Sequence, residues 1–211
     1  MKRAHVPAAR VALALAAAAL LSCQGSIFGG GATGPVSGVW LVVPAESSLW
    51  FVGIKNNAVA VPGSFTGMEG GFNVEKREGW FEVRVATLGT GDPARDENIR
   101  VHFFDALQFP VARFSLTGIP SAAELPAVGA SSTATLAGKL QIHGGEFPLQ
   151  IPVSVAREAA GRIRVRNSKP VVLSAADLGM AQPLAVLKAV CGHESVSGAV
   201  PVEFDVLFSP I

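Results

Sequence analysis

Phe147, Leu149, Ile151, Val153 and Val155 place five apolar side chains at every second position, opposite Pro148, Gln150, Pro152 and Ser154. A period of two matches the pleat of a β-strand, whose successive side chains leave opposite faces. One apolar face and one wet face mark antiparallel sheet, because parallel strands are covered on both sides. The pattern recurs. Phe81, Val83 and Val85 oppose Trp80, Glu82 and Arg84; Ile163 and Val165 oppose Arg162, Arg164 and Arg166; Val202, Phe204, Val206 and Phe208 oppose Glu203 and Asp205. Further strands are predicted at 49–54, 59–66, 70–74, 113–118 and 133–143, roughly eight to ten in all. The fold class is all-β, and pattern alone leaves a closed barrel and two packed sheets equally open.

The breaks between strands carry turn chemistry. Asn56-Asn57, His143-Gly144-Gly145-Glu146 and Ala159-Ala160-Gly161 read as hairpin connectors. Pro148 and Pro152 put their strand at an edge or beside a bulge, since proline has no N–H for a ladder. Helix is scarce. Asp92 as N-cap and Pro93 at the first helical position predict about two turns over 93–101, and 176–188 reads as a turn and a short helix. Residues 120–132 form a loop, and there is no internal repeat or second domain.

The N-terminus stands apart from this pattern. Lys2, Arg3 and Arg10 precede an eleven-residue apolar run from Val11 to Leu21, too short to span a bilayer. Residues 1–22 therefore read as a secretory signal peptide. Leu20-Leu21-Ser22-Cys23 resembles a bacterial lipobox, which makes Cys23 the expected lipidation site and the membrane a partner through that anchor. Gln24 after the cysteine fits an outer-membrane lipoprotein on the periplasmic side of the bacterial envelope. Residues 23–38, rich in Gly, Ser and Ala, read as a flexible lipidated tether, and 39–211 as the folded domain.

Without the signal, fourteen basic residues face sixteen acidic ones, a net charge of −2. No basic surplus exists to drive nucleic-acid binding. Cys191 is the one thiol left if Cys23 is lipidated, so no intramolecular disulfide is expected.

Chemistry is hard to find. His102, His143 and His193 have no His or Cys partner at metal-ligand spacing, so no metal and no cofactor are expected. Cys191-Gly192-His193-Glu194 lacks a group to orient a catalytic base. No phosphate-cradling loop and no Gly-X-Ser-X-Gly element occurs. No catalytic residue is assigned, and the chain reads as a binding protein rather than an enzyme. Twelve Phe and no Tyr give an interior without phenol hydroxyls, which suits either a dry packed core or a lumen for a hydrocarbon ligand.

One segment is idiosyncratic enough to identify. Arg95-Asp96, Ile99-Arg100, Phe103-Phe104-Asp105, Phe109-Pro110 and Arg113-Phe114, in that order, resemble the YceI-like family of periplasmic proteins. Trp40-Leu41-Val42, Ser47-Ser48-Leu49-Trp50-Phe51, Gly63-Ser64-Phe65, Gly138-Lys139-Leu140-Gln141-Ile142-His143-Gly144 and Asp177-Leu178-Gly179 extend the likeness over essentially the whole domain. The chain departs from the family pattern at Ser47, at Gly145-Glu146 and at Ser174-Ala175-Ala176.

The resemblance implies an extended, lipocalin-like antiparallel β-barrel of about eight strands with one or two short helices, whose lumen holds a polyisoprenoid or other long-chain lipid. It places Phe103-Phe104-Asp105 in an insertion that closes or lines one end. The residues expected to line the lumen are Phe65, Phe81, Val83, Phe103, Phe104, Phe114, Leu140, Phe147, Leu149, Ile151, Ile163 and Phe204. The competing reading is a packed barrel without a lumen ligand, acting as an interaction or stress-response module through a surface such as Arg162, Arg164 and Arg166. Oligomeric state is left open.

Overall fold

The structure, a computed structural model, describes residues 36–211. The expected signal peptide, the Cys23 anchor and most of the tether lie outside those residues. Twelve strand segments follow in order: β1 (Val39–Val42), β2 (Ser48–Lys55), β3 (Val59–Phe65), β4 (Met68–Asn73), β5 (Glu78–Arg84), β6 (Leu88–Gly89), β7 (Val111–Gly118), β8 (Ser131–Ile142), β9 (Gly145–Arg157), β10 (Ile163–Asn167), β11 (Val171–Ser174) and β12 (Ala199–Pro210).

These twelve segments make eight staves. β12 pairs with β1 at Val42↔Phe208 and, further along the same side, with β2 at Phe51↔Val202. The two therefore continue one another across the 3-10 turn Pro44–Glu46. Ser47 spans that break: its hydroxyl donates to the Val43 carbonyl at 2.8 Å and accepts from the Leu207 N–H at 3.0 Å. β3 and β4 form the next stave, and β5 continues into β6. Then come β7, β8 and β9, then β10 with β11, and β12 last. Every pairing is antiparallel, and the last stave closes on the first through Trp40↔Pro210 and Leu41↔Ser209. The result is a closed eight-stave antiparallel barrel with two short helices, as the sequence led us to expect. β1, β6 and β11, at two to four residues, are too short to show alternation, and their strands escape the sequence pattern.

Turn chemistry behaves as its residues dictate. Asn56 and Asn57 (φ 50° and 61°) and His143 and Gly144 (φ 49° and 76°) take left-handed backbone, the requirement of tight hairpins whose twist matches the strands. Pro148 and Pro152 lie in the half of β9 that pairs only with β8, because β10 covers just Val153–Arg157. On its other side this half of β9 is an edge, where proline costs no ladder bond. The barrel wall thus has a seam between 145–152 and the short β11.

Both helices sit at one end. Asp92 caps α1 (Pro93–Asn98) by accepting the N–H groups of Ala94 and Arg95, each at 3.1 Å. The chain then widens into a π-helical turn, Ile99–Phe103, with the Phe104 N–H bonded to the Ile99 carbonyl at 3.1 Å. α2 (Ala181–Val190) begins after Gly179 (φ 67°), following a turn as the sequence suggests, because 174–180 closes that turn through Met180 N–H to Ala175 O at 2.7 Å. α2 packs on the π-helical turn, so the two insertions form one cap.

The opposite end is plugged by an aromatic stack. Trp40 lies 5.7 Å from Phe72, nearly parallel, and Phe72 meets Phe208 edge-on at 5.1 Å. Val36, counted with the tether in the sequence, packs into this cluster and is 4% exposed, so ordered packing begins before β1.

Candidate functional site

Inside the barrel runs a cavity of about 370 Å³, within the roughly 300–1,000 Å³ typical of pockets that hold one small ligand. Its lining extends from the cap (Ile99, Phe103, Phe104, Leu184, Leu187) to the loop at the other end (Ile119, Pro120, Leu125). A Phe-rich interior could have filled this space with rings. It does not, because several rings lie back against glycines. Phe51 faces Gly63 directly across β2 and β3, and a Cβ on Gly63 would come within 2.7 Å of the ring's Cε1. A Cβ on Gly138 would sit 2.7 Å from Cζ of Phe114. Where the wall lacks a side chain the ring folds onto the backbone, and the lumen stays open.

The registers show how the sequence-derived candidates meet. Phe81 pairs with Phe114, Phe114 with Leu140, and Leu140 with Phe147, a belt across β5, β7, β8 and β9. Of the twelve candidate residues, Phe65, Phe81, Val83, Phe103, Phe104, Phe114, Leu140, Leu149, Ile151, Ile163 and Phe204 line the cavity. Phe147 does not, and its expected place is corrected. It ends the belt at the seam, where its ring covers Gly145 at the distance that a Cβ there would meet (2.5 Å) and comes near Gly179. The half-buried ring thus lies over backbone at the turn end of β9 and is not among the side chains that line the cavity.

Beneath the cap the aromatic rings interlock. Phe103 and Phe104 meet edge-on at 4.9 Å, Phe104 meets Phe65 at 6.2 Å, and Phe65 meets Phe51 at 5.7 Å. The expected role of Phe103-Phe104-Asp105 as an insertion lining one end agrees with this geometry. The charged residues of the segment hold the cap in place. Asp96, 8% exposed, accepts from the Thr90 N–H at 2.9 Å and from the Thr90 hydroxyl. Arg95 donates Nε to Thr90 Oγ1 at 2.7 Å and Nη2 to the Thr90 carbonyl at 3.0 Å.

Sequence reasoning missed the polar rim of the cavity. Lys55 at the end of β2, Thr90, Arg95 on α1, and Cys191, His193 and Ser197 after α2 all line its capped end. They converge because the chain after α2 pairs with the end of β2: Asn56 N–H reaches Ser195 O and Ser197 N–H reaches Ile54 O, each at 2.8 Å. Asn98 Nδ2 lies 3.8 Å from Cys191 Sγ, tying α1 to the same corner. Burial first, and then the positive charges of Lys55 and Arg95, hold the His193 imidazole below its ordinary value. No spacing rule could have found residues that belong to three distant segments.

The arginine stripe of the competing reading is already engaged. Arg162 pairs with Glu46 and Glu158, Arg164 with Glu158 and Asp205, and Arg166 with Asp205, at 2.5–3.3 Å. Both carboxylate contacts raise the affinity of Arg164 for its proton, Glu158 the more. Among the described residues, no group of three His, Cys, Asp or Glu side chains could hold a metal ion.

Residues 40–208 match the family model of the YceI-like domain. A polyisoprenoid binding domain from Saccharophagus degradans, implicated in plant cell wall breakdown, is similar over 82% of this chain and 98% of that one, with a TM-score of 0.77 and 25% identity. BcnA from Burkholderia cenocepacia is similar over 79% of this chain and 98% of that one, with a TM-score of 0.60 and 21% identity, a likeness of fold. No curated protein matches the chain. The matched segment runs from Trp40 in the first stave to Phe208 in the last, so it takes in the barrel, its cap and its lumen together, and the chain belongs to the YceI-like domain family.

Proposed function

We propose that the barrel binds a long-chain amphiphile, a polyisoprenoid by preference, in its lumen and sequesters or carries it in the bacterial envelope. The observation that carries this reading is the continuous apolar cavity, open along the barrel because Phe51 and Phe114 lie on glycines. An isoprenoid chain has no hydrogen-bonding groups, and away from the polar rim at the capped end the wall is almost wholly apolar, without a tyrosine hydroxyl to leave unmatched. Affinity would come from apolar area removed from water, about 25 cal/mol per Å² before the costs of association and chain ordering. The polyisoprenoid binding domain with which this chain shares fold and quarter identity supports that ligand class. The leader and Cys23 place the protein, on this reading, as a lipoprotein on the periplasmic side of the outer membrane, with acyl chains as the anchor. Nothing in the site calls for catalysis.

The test is lipid extraction and native mass spectrometry of the purified protein beside Leu140→Trp, which puts an indole into the lumen at the belt of Phe114. Wild type should carry one long-chain lipid per chain, and the variant at least about tenfold less with its fold retained. Equal loading of the two would locate binding outside the lumen; no lipid on wild type after exposure to polyisoprenoids would end the proposal.

A further inference from the structure

The polarity of the lumen is one-sided in charge as well as in position. Its lining contains Lys55, Arg95 and His193 and no aspartate or glutamate. All three lie at the capped end, whereas the far end is lined by Ile119, Pro120, Leu125, Phe72 and Phe208. Among the described residues no carboxylate stands within ion-pair distance of Lys55 or Arg95, although Arg84, Arg100, Arg113 and the arginine stripe each have one. The acids of the neighbourhood are committed elsewhere. Asp92 accepts the N–H groups of Arg95 and Ala94 and is exposed, its carboxyl held below the ordinary value first by the Arg95 N–H and then also by the more distant charges of Arg95 and Lys55; Asp96 holds Thr90, and Glu194 is exposed on the turn that bonds to Asn56. Thr90 occupies Nε and Nη2 of Arg95, which leaves Nη1 to offer.

Half-buried like charges without a close counter-ion, Asp92 acting on them only from the exposed surface, cost free energy that an anion placed between them relieves. We propose that Lys55, Arg95 and His193 form the head-group site of the lumen, and that its ligand is a long-chain lipid ending in a phosphate. The proposal rests on the lumen reading above and specifies the ligand's polar end and its direction, head under the cap and tail toward Pro120 and Leu125. Phosphate is favoured over carboxylate by charge count. Lys55 and Arg95, which Asp92 offsets only from the exposed surface, together match a phosphate monoester dianion, and a carboxylate would leave one of these two half-buried cations without a close partner. The two donors also differ in type, the Nη1 of a guanidinium that Thr90 holds in place and a compact ammonium. Burial, and then the two neighbouring cations, lower the proton affinity of His193, and a bound dianion would oppose the second of these causes.

Three C20 probes with one chain and different heads test this: geranylgeranyl phosphate, geranylgeraniol and geranylgeranoic acid, each titrated into delipidated, refolded protein. The phosphate should bind about tenfold or more tighter than the alcohol, and its advantage should shrink as salt is raised. Lys55→Gln should cut the ratio of phosphate to alcohol affinity about tenfold, and Lys169→Gln, an exposed cation away from the cavity, should leave the ratio as it is. If Lys55→Gln does not fold, the head-group ranking and its salt dependence in wild type decide alone. Equal binding of all three overturns the head-group site while the lumen reading stands. A carboxylate equal to the phosphate overturns the phosphate assignment. Binding of none of the three brings down the lumen reading and this site with it.

Discussion

The Cβ atoms missing at Gly63 and Gly138 give the Phe51 and Phe114 rings room to lie on the wall. Gly138 pairs with Leu116 across β7 and β8 and lies under the ring of Phe114, and a Cβ there would also press on the Ser115 carbonyl, which belongs to backbone and cannot swing away. Gly138→Ala is therefore expected to destabilise the protein by about 1–3 kcal/mol, the cost of overpacking a tight site, as read from the denaturant midpoint. It should also push the Phe114 ring inward and lower lipid loading. A variant with wild-type midpoint and wild-type loading would show that the ring does not depend on the glycine. At this scale the sequence was partly legible. Period-two alternation told which side chains point inward, because the pleat permits nothing else. It could not tell a ring standing in the lumen from one laid on the wall, since that depends on a glycine one strand away. Phe147 shows the limit: its alternation is sound, yet its ring lies over Gly145 and does not line the cavity.

At the scale of elements, the cap is wired by a few polar bonds. Asp96 is the hub, buried and bound to both the N–H and the hydroxyl of Thr90. Asp96→Ala would leave the Thr90 N–H without its partner and should cost about 1–3 kcal/mol. Hydrogen exchange should speed up over 90–104 and leave β8 and β9 protected; uniform exchange along the chain would contradict a locally hinged cap. The start of α1 was readable from Asp92 and Pro93, whose chemistry is local. The π-helical turn was not, because the i to i+5 bond from Phe104 to Ile99 is held by packing against α2, some eighty residues downstream. The Arg-Asp and Phe-Phe-Asp elements marked the family, and their physical work, bracing Thr90 and stacking beneath the cap, emerged only in three dimensions.

Across the whole molecule, pH links folding to several outlying groups. Glu75 accepts the Gly38 N–H, Glu124 the Ser121 N–H, and Glu146 pairs with Lys139 and then Gln141. Each contact holds its carboxyl below the ordinary value of 4.5. A group whose folded value is depressed binds its proton more readily when unfolded, so stability rises with pH through that window and is lost as pH falls. His193 has the same sign in a higher window, since its folded value lies below 6.5. Melting temperature should thus be flat above neutrality, decline slightly as pH passes below 6.5 and fall further below 4.5. A curve that stays level down to pH 3 would show that these contacts do not report on folding. Fold class and stave number were legible because alternation and turn residues repeat along the chain, whereas closure is a single event between its two ends.

That event governs when the protein can exist as a barrel at all. The last hydrogen-bonded seam joins Trp40 to Pro210 and Leu41 to Ser209, so the first stave has no partner on that side until the final residues arrive. Contact between positions this far apart in sequence is entropically late, which makes folding slow for the chain's size. Until then the growing polypeptide is an open ribbon, and a stop before β12 would leave two bare edges able to pair with another molecule.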